Sequence, residues 1–114
     1  MSYEVGGKTI EADANGYLVN LEDWSEDVAK VIAEAEGITL SDKAWDVINY
    51  LRDEYFNNNN NQPNEQNMVK HFKKVWTDLD KVDAKALYMH FPKGPAKQAS
   101  KIAGLPETKR KGGY

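Results

Sequence analysis

Gly94-Pro95 and Gly104-Leu105-Pro106 bracket the stretch "AKQASKIA" near the C-terminal end of the chain. Proline fits the first helical position, where its missing N–H would have had no partner and its fixed φ is already helical. Glycine ends helices by taking the left-handed conformation, and a following proline disfavours resumption. The bracketed stretch is therefore expected to be one short helix rich in small residues. Beyond it, residues 105–114 are expected to form a flexible arm with no regular element.

Upstream, the hydrophobic pattern reads as a small β region followed by helices. "YEVGGKTIEA" alternates apolar and polar residues on both sides of Gly6-Gly7, the dipeptide that a tight primed hairpin turn requires. "NGYLV" at 15–19 is expected to add a third strand. Asp23 with Glu26 reads as a capping pair for a first helix, which carries Val28, Val31, Ile32 and Ala35 and stops at Gly37. Ser41 caps a second helix with Ala44, Trp45, Ile48, Leu51 and Tyr55 on one face. The run Asn57–Asn61 favours a loop, because asparagine competes with helix interiors for backbone hydrogen bonds. Met68, Val69, Phe72, Val75 and Trp76 mark a third helix, and "DAKALYMHF" a fourth. The sum is an α+β fold, a three-stranded β-meander packed on about five helices. Residues 1–104 form a single domain and 105–114 the arm.

Charge is distributed unevenly. Of 15 basic and 18 acidic residues, six basic and one acidic (Glu107) fall in 91–114, leaving nine against seventeen in residues 1–90. A basic C-terminal segment on an acidic body can be steered toward an acidic partner or fold back on its own body. No apolar run approaches the roughly 20 residues that span a bilayer, and the start of the chain lacks a basic region followed by an apolar one. The expectation is a cytoplasmic protein. Cysteine is absent, so within these residues there are no disulfides, thiolate metal sites or cysteine nucleophiles.

No residue pattern marks a catalytic centre, and neither a metal nor a cofactor is expected. His71 and His90 stand apart, each beside a phenylalanine, and read as packed or half-exposed imidazoles rather than metal ligands. The three tryptophans read as core anchors. Glu34, Glu36, Asp42, Asp46, Asp53 and Glu54 fall on helix surfaces, where solvation is the default. The second and third helices loosely suggest a helix-turn-helix in which Lys70, Lys73 and Lys74 would meet phosphates, although the acidic body opposes duplex binding. Lys93, Lys97 and Lys101 recur every four residues, which makes a basic stripe on a helix leading to Lys109, Arg110 and Lys111. That stripe is either a solvated face or a docking surface for an acidic partner.

The block "FPKGPAKQASKIAGLP" resembles the signature of the DsrC/TusE family, which includes the gamma subunit of dissimilatory sulfite reductase. The resemblance extends through "LYMHFPKGPAKQA", "ITLSDKAWDVINYLRDEYF" and "GYLVNLEDWSEDVA", in order along nearly the whole chain. It implies the same α+β fold and a role in sulfur metabolism, with a sulfite reductase or sulfur-relay protein as partner. It also implies sulfur carried as a persulfide on a penultimate cysteine of the arm, paired in one branch with a second cysteine directly after "GPAKQA". Here Ser100 stands at the second position, and the first falls on Lys111 or Gly113 according to the direction of counting. Glu65 and Gln66 depart from the family's apolar residue and arginine as well. A serine hydroxyl forms no stable persulfide and is a poor nucleophile without a base. The resulting expectation is not an enzyme but a cysteine-less regulatory or accessory binding protein, unable to carry sulfur itself. Its partner surface would be Lys93, Lys97, Ser100, Lys101, Lys109, Arg110, Lys111 and Tyr114. The alternative is a DNA-binding regulator that uses the helix-turn-helix-like pair and the basic tail.

Overall fold

Tyr3 and Ile10 face each other across an antiparallel pair, β1 (Ser2–Val5) and β2 (Lys8–Glu11), and both point inward. Gly6 and Gly7 at the turn have φ of 56° and 84°, the two positive values that a primed turn demands. The computed structural model describes residues 1–107. Among these, the sheet has two strands rather than the expected three. Residues 15–19 contribute a single bridge, Ala12 to Leu18. Asp13 is the physical reason, because its carboxylate accepts from the backbone N–H of Asn15 at 2.9 Å and of Tyr17 at 3.0 Å. The chain is wound into a turn there and cannot run extended.

A 3-10 turn at Leu21–Asp23 leads into α1 (Glu26–Glu36). Its cap is Ser25, which accepts from the N–H of Val28 at 3.2 Å, and not Asp23, which lies in the preceding turn. Val28, Ala29, Ile32 and Ala33 form the buried stripe, while Ala35 is exposed on the opposite side. Gly37 closes the helix at φ 73°. In α2 (Asp42–Asn57), Ser41 caps as expected and Ala44, Val47, Ile48 and Leu51 turn inward. The helix absorbs Asn57 before Asn59 and Asn60 break it with left-handed φ of 53° and 59°.

Asn64 caps α3 (Glu65–Val75), whose Met68 and Phe72 are buried. Phe72 stacks on Trp76 at 4.3 Å between ring centres, and the Trp76 indole donates to Asp46 at 2.9 Å. Val75, expected on the apolar face, is instead 48% exposed at the helix end. Asp83 caps the short α4 (Ala84–Tyr88), which delivers Leu87 and then Phe91 to the core.

Gly94 precedes α5 (Pro95–Ile102), which packs against both α1 and α2. Ala96, Ala99, Ile102 and Ala103 are buried, and the small side chains let the helix approach its neighbours closely. The core does not stop at Gly104. Leu105, placed by the sequence in the arm, is 1% exposed, and its N–H bonds to the Ser100 carbonyl at 3.0 Å. The rest of the expected flexible arm, 108–114, lies outside the described residues. Among the described residues no helix is long and apolar enough to cross a membrane.

Candidate docking site at the end of the last helix

The end of α5 leaves carbonyls without helical partners, as every helix does. Here side chains from distant segments satisfy them. The Trp24 indole N–H donates to the Ile102 carbonyl at 2.8 Å, and the Arg52 guanidinium donates to the Ala103 carbonyl at 2.6 Å. Arg52 lies 3.7 Å from the Trp24 ring centre and 4.8 Å from that of Phe56, so its charge rests between two aromatic faces. Burial lowers its pKa from the ordinary value, but a guanidinium stays protonated in proteins. A cation at a helix C-terminus also opposes the negative end of the helix dipole. Gly104 has φ 71°, and a Cβ there would overlap the Trp24 ring. Two further contacts hold the next residues: Gln62 donates to the Pro106 carbonyl at 2.8 Å, and the Asn15 side-chain amide donates to Glu107 at 3.2 Å.

Beside this clamp a cleft of about 230 Å³ opens along α5, lined by Asn15, Tyr17, Glu36, Lys93, Lys97, Gln98, Lys101 and Glu107. Gln98 is buried and bridges its floor: its carbonyl accepts from the Lys93 N–H at 3.1 Å and its amide donates to Glu36 at 3.2 Å. Lys101 pairs with the other Glu36 oxygen at 3.4 Å and stands 5.3 Å from the Tyr17 ring centre. Tyr17 donates to the Lys97 carbonyl at 3.3 Å. Burial first, then the carboxylates of Glu107, Glu36 and Asp13, push its pKa up to about 12, so it is a neutral phenol throughout the physiological range.

The structure thus brings together three of the expected partner-binding residues, Lys93, Lys97 and Lys101, on the wall of one cleft. It places Ser100 elsewhere, 1% exposed in the packed side of α5. Lys109, Arg110, Lys111, Gly113 and Tyr114 lie outside the described residues. His71 stacks on Tyr50 at 4.0 Å, and His90 meets the Ser41 hydroxyl at 3.2 Å. Sequence reasoning missed Arg52, Gln98 and Tyr17. A signal existed for two of them: Arg52 is one turn after Ile48 at the rim of an apolar stripe, and Gln98 shares the helical phase of Pro95 and Ile102.

Residues 4–110 match the family model described as "DsrC like protein". The chain belongs to this family. It is 48% identical over 101 residues to Sulfurtransferase TusE of Escherichia coli (strain K12), covering 89% of this chain and 91% of that one. It is 45% identical over 104 residues to Sulfurtransferase TusE of Yersinia pseudotuberculosis, covering 91% and 94%. Among solved structures it is similar to the oxidized gamma-subunit of the dissimilatory sulfite reductase (DsrC) from Archaeoglobus fulgidus, with TM-score 0.86, 36% identity and coverage of 96% and 98%. Allochromatium vinosum DsrC gives TM-score 0.84 and 39% identity over 96% and 98%.

These similarities confirm the DsrC/TusE resemblance and the α+β fold. They overturn two expectations. The reading as a regulatory or accessory protein that is not an enzyme gives way to the sulfurtransferase name of the relatives. That reading inferred a lost activity from Ser100 and from Lys111 or Gly113, and the latter two positions lie outside the described residues. The DNA-binding alternative falls as well, since these relatives are named for sulfur chemistry. Its two helices pack against each other through Tyr50, His71 and Phe72, and Lys70, Lys73 and Lys74 lie on the solvated side of α3.

Proposed function

We propose that the chain works in a sulfur relay, in which a sulfur atom passes between proteins, and that the clamp and cleft of α5 form its docking site for a sulfur-transfer partner. The observation that carries the reading is similarity over about nine-tenths of both chains to proteins named Sulfurtransferase TusE. The geometry supports it: Trp24 and Arg52 hold the carbonyls at the end of α5, and Glu107, a few residues further on, lines the same cleft as Lys93 and Lys97. A persulfide needs a cysteine thiolate. The 114 residues contain none, and the part we assign to them in the relay is docking of the sulfur-transfer partner.

The test is a relay assay with a radiolabelled persulfide on a sulfurtransferase donor, followed to its acceptor protein with and without this chain. The expected result is a complex between chain and donor or acceptor, and faster delivery of label. No complex and an unchanged rate would refute the reading.

A further inference from the structure

The cleft beside α5 already holds carboxylates of its own chain. Glu36 lies against Lys101 and Gln98, satisfied on both oxygens. Glu107 lines the same cleft, and its Oε1 accepts from the Asn15 side-chain amide at 3.2 Å. The two carboxylates differ in how firmly they are held. Glu36 and Lys101 are mostly shielded, with side-chain exposures of 18% and 17%. Glu107 is half-buried, and among the described residues it accepts a hydrogen bond from an exposed loop residue rather than from a lysine of α5. Lys93 and Lys97 form no ion pair among the described residues. The cleft therefore offers two uncompensated cations and a neutral phenol next to a weakly held internal acid.

We propose that Glu107 is a built-in stand-in for an acidic side chain of a partner protein, and that docking of that acidic segment between Asn15 and the Lys93–Lys97 edge displaces Glu107 from Asn15. This rests on the relay reading of the cleft and gives its partner a chemistry. Charge complementarity favours an acidic protein segment. The body outside 91–114 carries nine basic against seventeen acidic residues, so an extended polyanion such as a nucleic acid is repelled while a short acidic segment meets only the local cations. The contact at Glu107 is the weaker of the two because it is solvent-accessible and screened. Displacement leaves the Lys101–Glu36 pair intact as the fixed wall of the site. It also leaves the core unchanged, because Leu105 stays buried on the near side of Glu107.

The probe is a synthetic hexapeptide of alternating Asp and Glu, titrated into the full chain at low salt while the side-chain amide of Asn15 is followed by NMR. Its Asn/Gln counterpart and a single-stranded oligonucleotide of equal charge serve as the comparison ligands. The expected result is saturable binding of the acidic peptide alone, with the Asn15 amide shifting in step. Glu107→Ala should tighten binding about two- to fivefold, the range of an exposed charge contact. Lys97→Glu should weaken it by at least about tenfold through like-charge repulsion. The proposal is overturned by no peptide binding, by binding that leaves the Asn15 amide unmoved, by unchanged affinity in Glu107→Ala, or by preference for the oligonucleotide. If the relay assay succeeds and the peptide fails, this inference falls while the relay reading stands. If peptide binding and displacement occur but no sulfur-transfer partner is engaged, the partner chemistry stands and the relay reading falls.

Discussion

The C-terminal end of α5 and its cleft side are built from opposite materials. At the end, an indole N–H and a guanidinium reach from α2 and the turn before α1 to cap carbonyls, and glycine backbone lies against an aromatic ring. Along the side, lysines, a phenol and carboxylates meet in a cleft that water enters. The first arrangement fixes position, because each contact is short, directional and partly buried. The second leaves choice, because exposed charges are screened and can change partners. A docking surface needs both: a fixed point of departure and an exchangeable set of contacts beside it.

Substitutions at the fixed end should therefore cost far more than those in the cleft. The largest effect is expected for Gly104→Ala. It combines a left-handed φ with overlap against Trp24 and should lower stability by about 2–4 kcal/mol in urea unfolding. A loss under about 1 kcal/mol would mean that the ring moves aside and the clamp is soft. Arg52→Met keeps an unbranched apolar stem but is shorter and loses the charged hydrogen bond to Ala103, and should cost about 1.5–3 kcal/mol. Arg52→Lys should recover only part of that, since a point charge lacks the planar fork that lies between Trp24 and Phe56. Trp24→Phe retains an aromatic ring for Gly104 but removes the donor to Ile102, for an expected loss of about 1 kcal/mol.

The comparison also explains what could be read in advance. Turn and cap residues act through local chemistry, so the Gly6-Gly7 hairpin, the Ser41 cap and the limits of α5 were legible from neighbours in sequence. The third strand was not, because apolar alternation at 15–19 says nothing of the two hydrogen bonds by which Asp13 folds that segment back. The lysine stripe was legible as a face, since helical spacing puts 93, 97 and 101 in line. The clamp was not, because its members come from Trp24, Arg52 and Gln62, separated from their acceptors by 78, 51 and 44 positions. Only the three-dimensional fold brings those together. The position of Ser100 was legible in register but not in exposure: it occupies a place between lysines in sequence and a buried one in space.

Smaller effects test the cleft. Tyr17 has its ordinary pKa of 10.0 raised to about 12 in the folded protein. Between those values the folded state holds the proton and the unfolded state releases it, so stability is full below pH 10 and falls as the pH rises toward 12. Tyr17→Phe should flatten that fall, measured as the change in urea midpoint between neutral and alkaline buffer, and an unchanged slope would place the titration elsewhere. Lys97→Ala should change stability by less than about 0.5 kcal/mol. A larger loss would show that Lys97 supports the fold and is not held in reserve for a partner.

Helix α5 and Leu105 also bear on how the protein is made. Ala96, Ala99, Ile102, Ala103 and Leu105 complete a core whose other walls are α1 and α2, yet they leave the ribosome after every other element described. A nascent chain stopped at Gly94 presents those two helices with their apolar faces bare, a ready target for chaperones and proteases. Quality control thus falls on the same segment that we assign to docking: a body lacking α5 is expected to be unstable, because the apolar faces of α1 and α2 lose the helix that covers them.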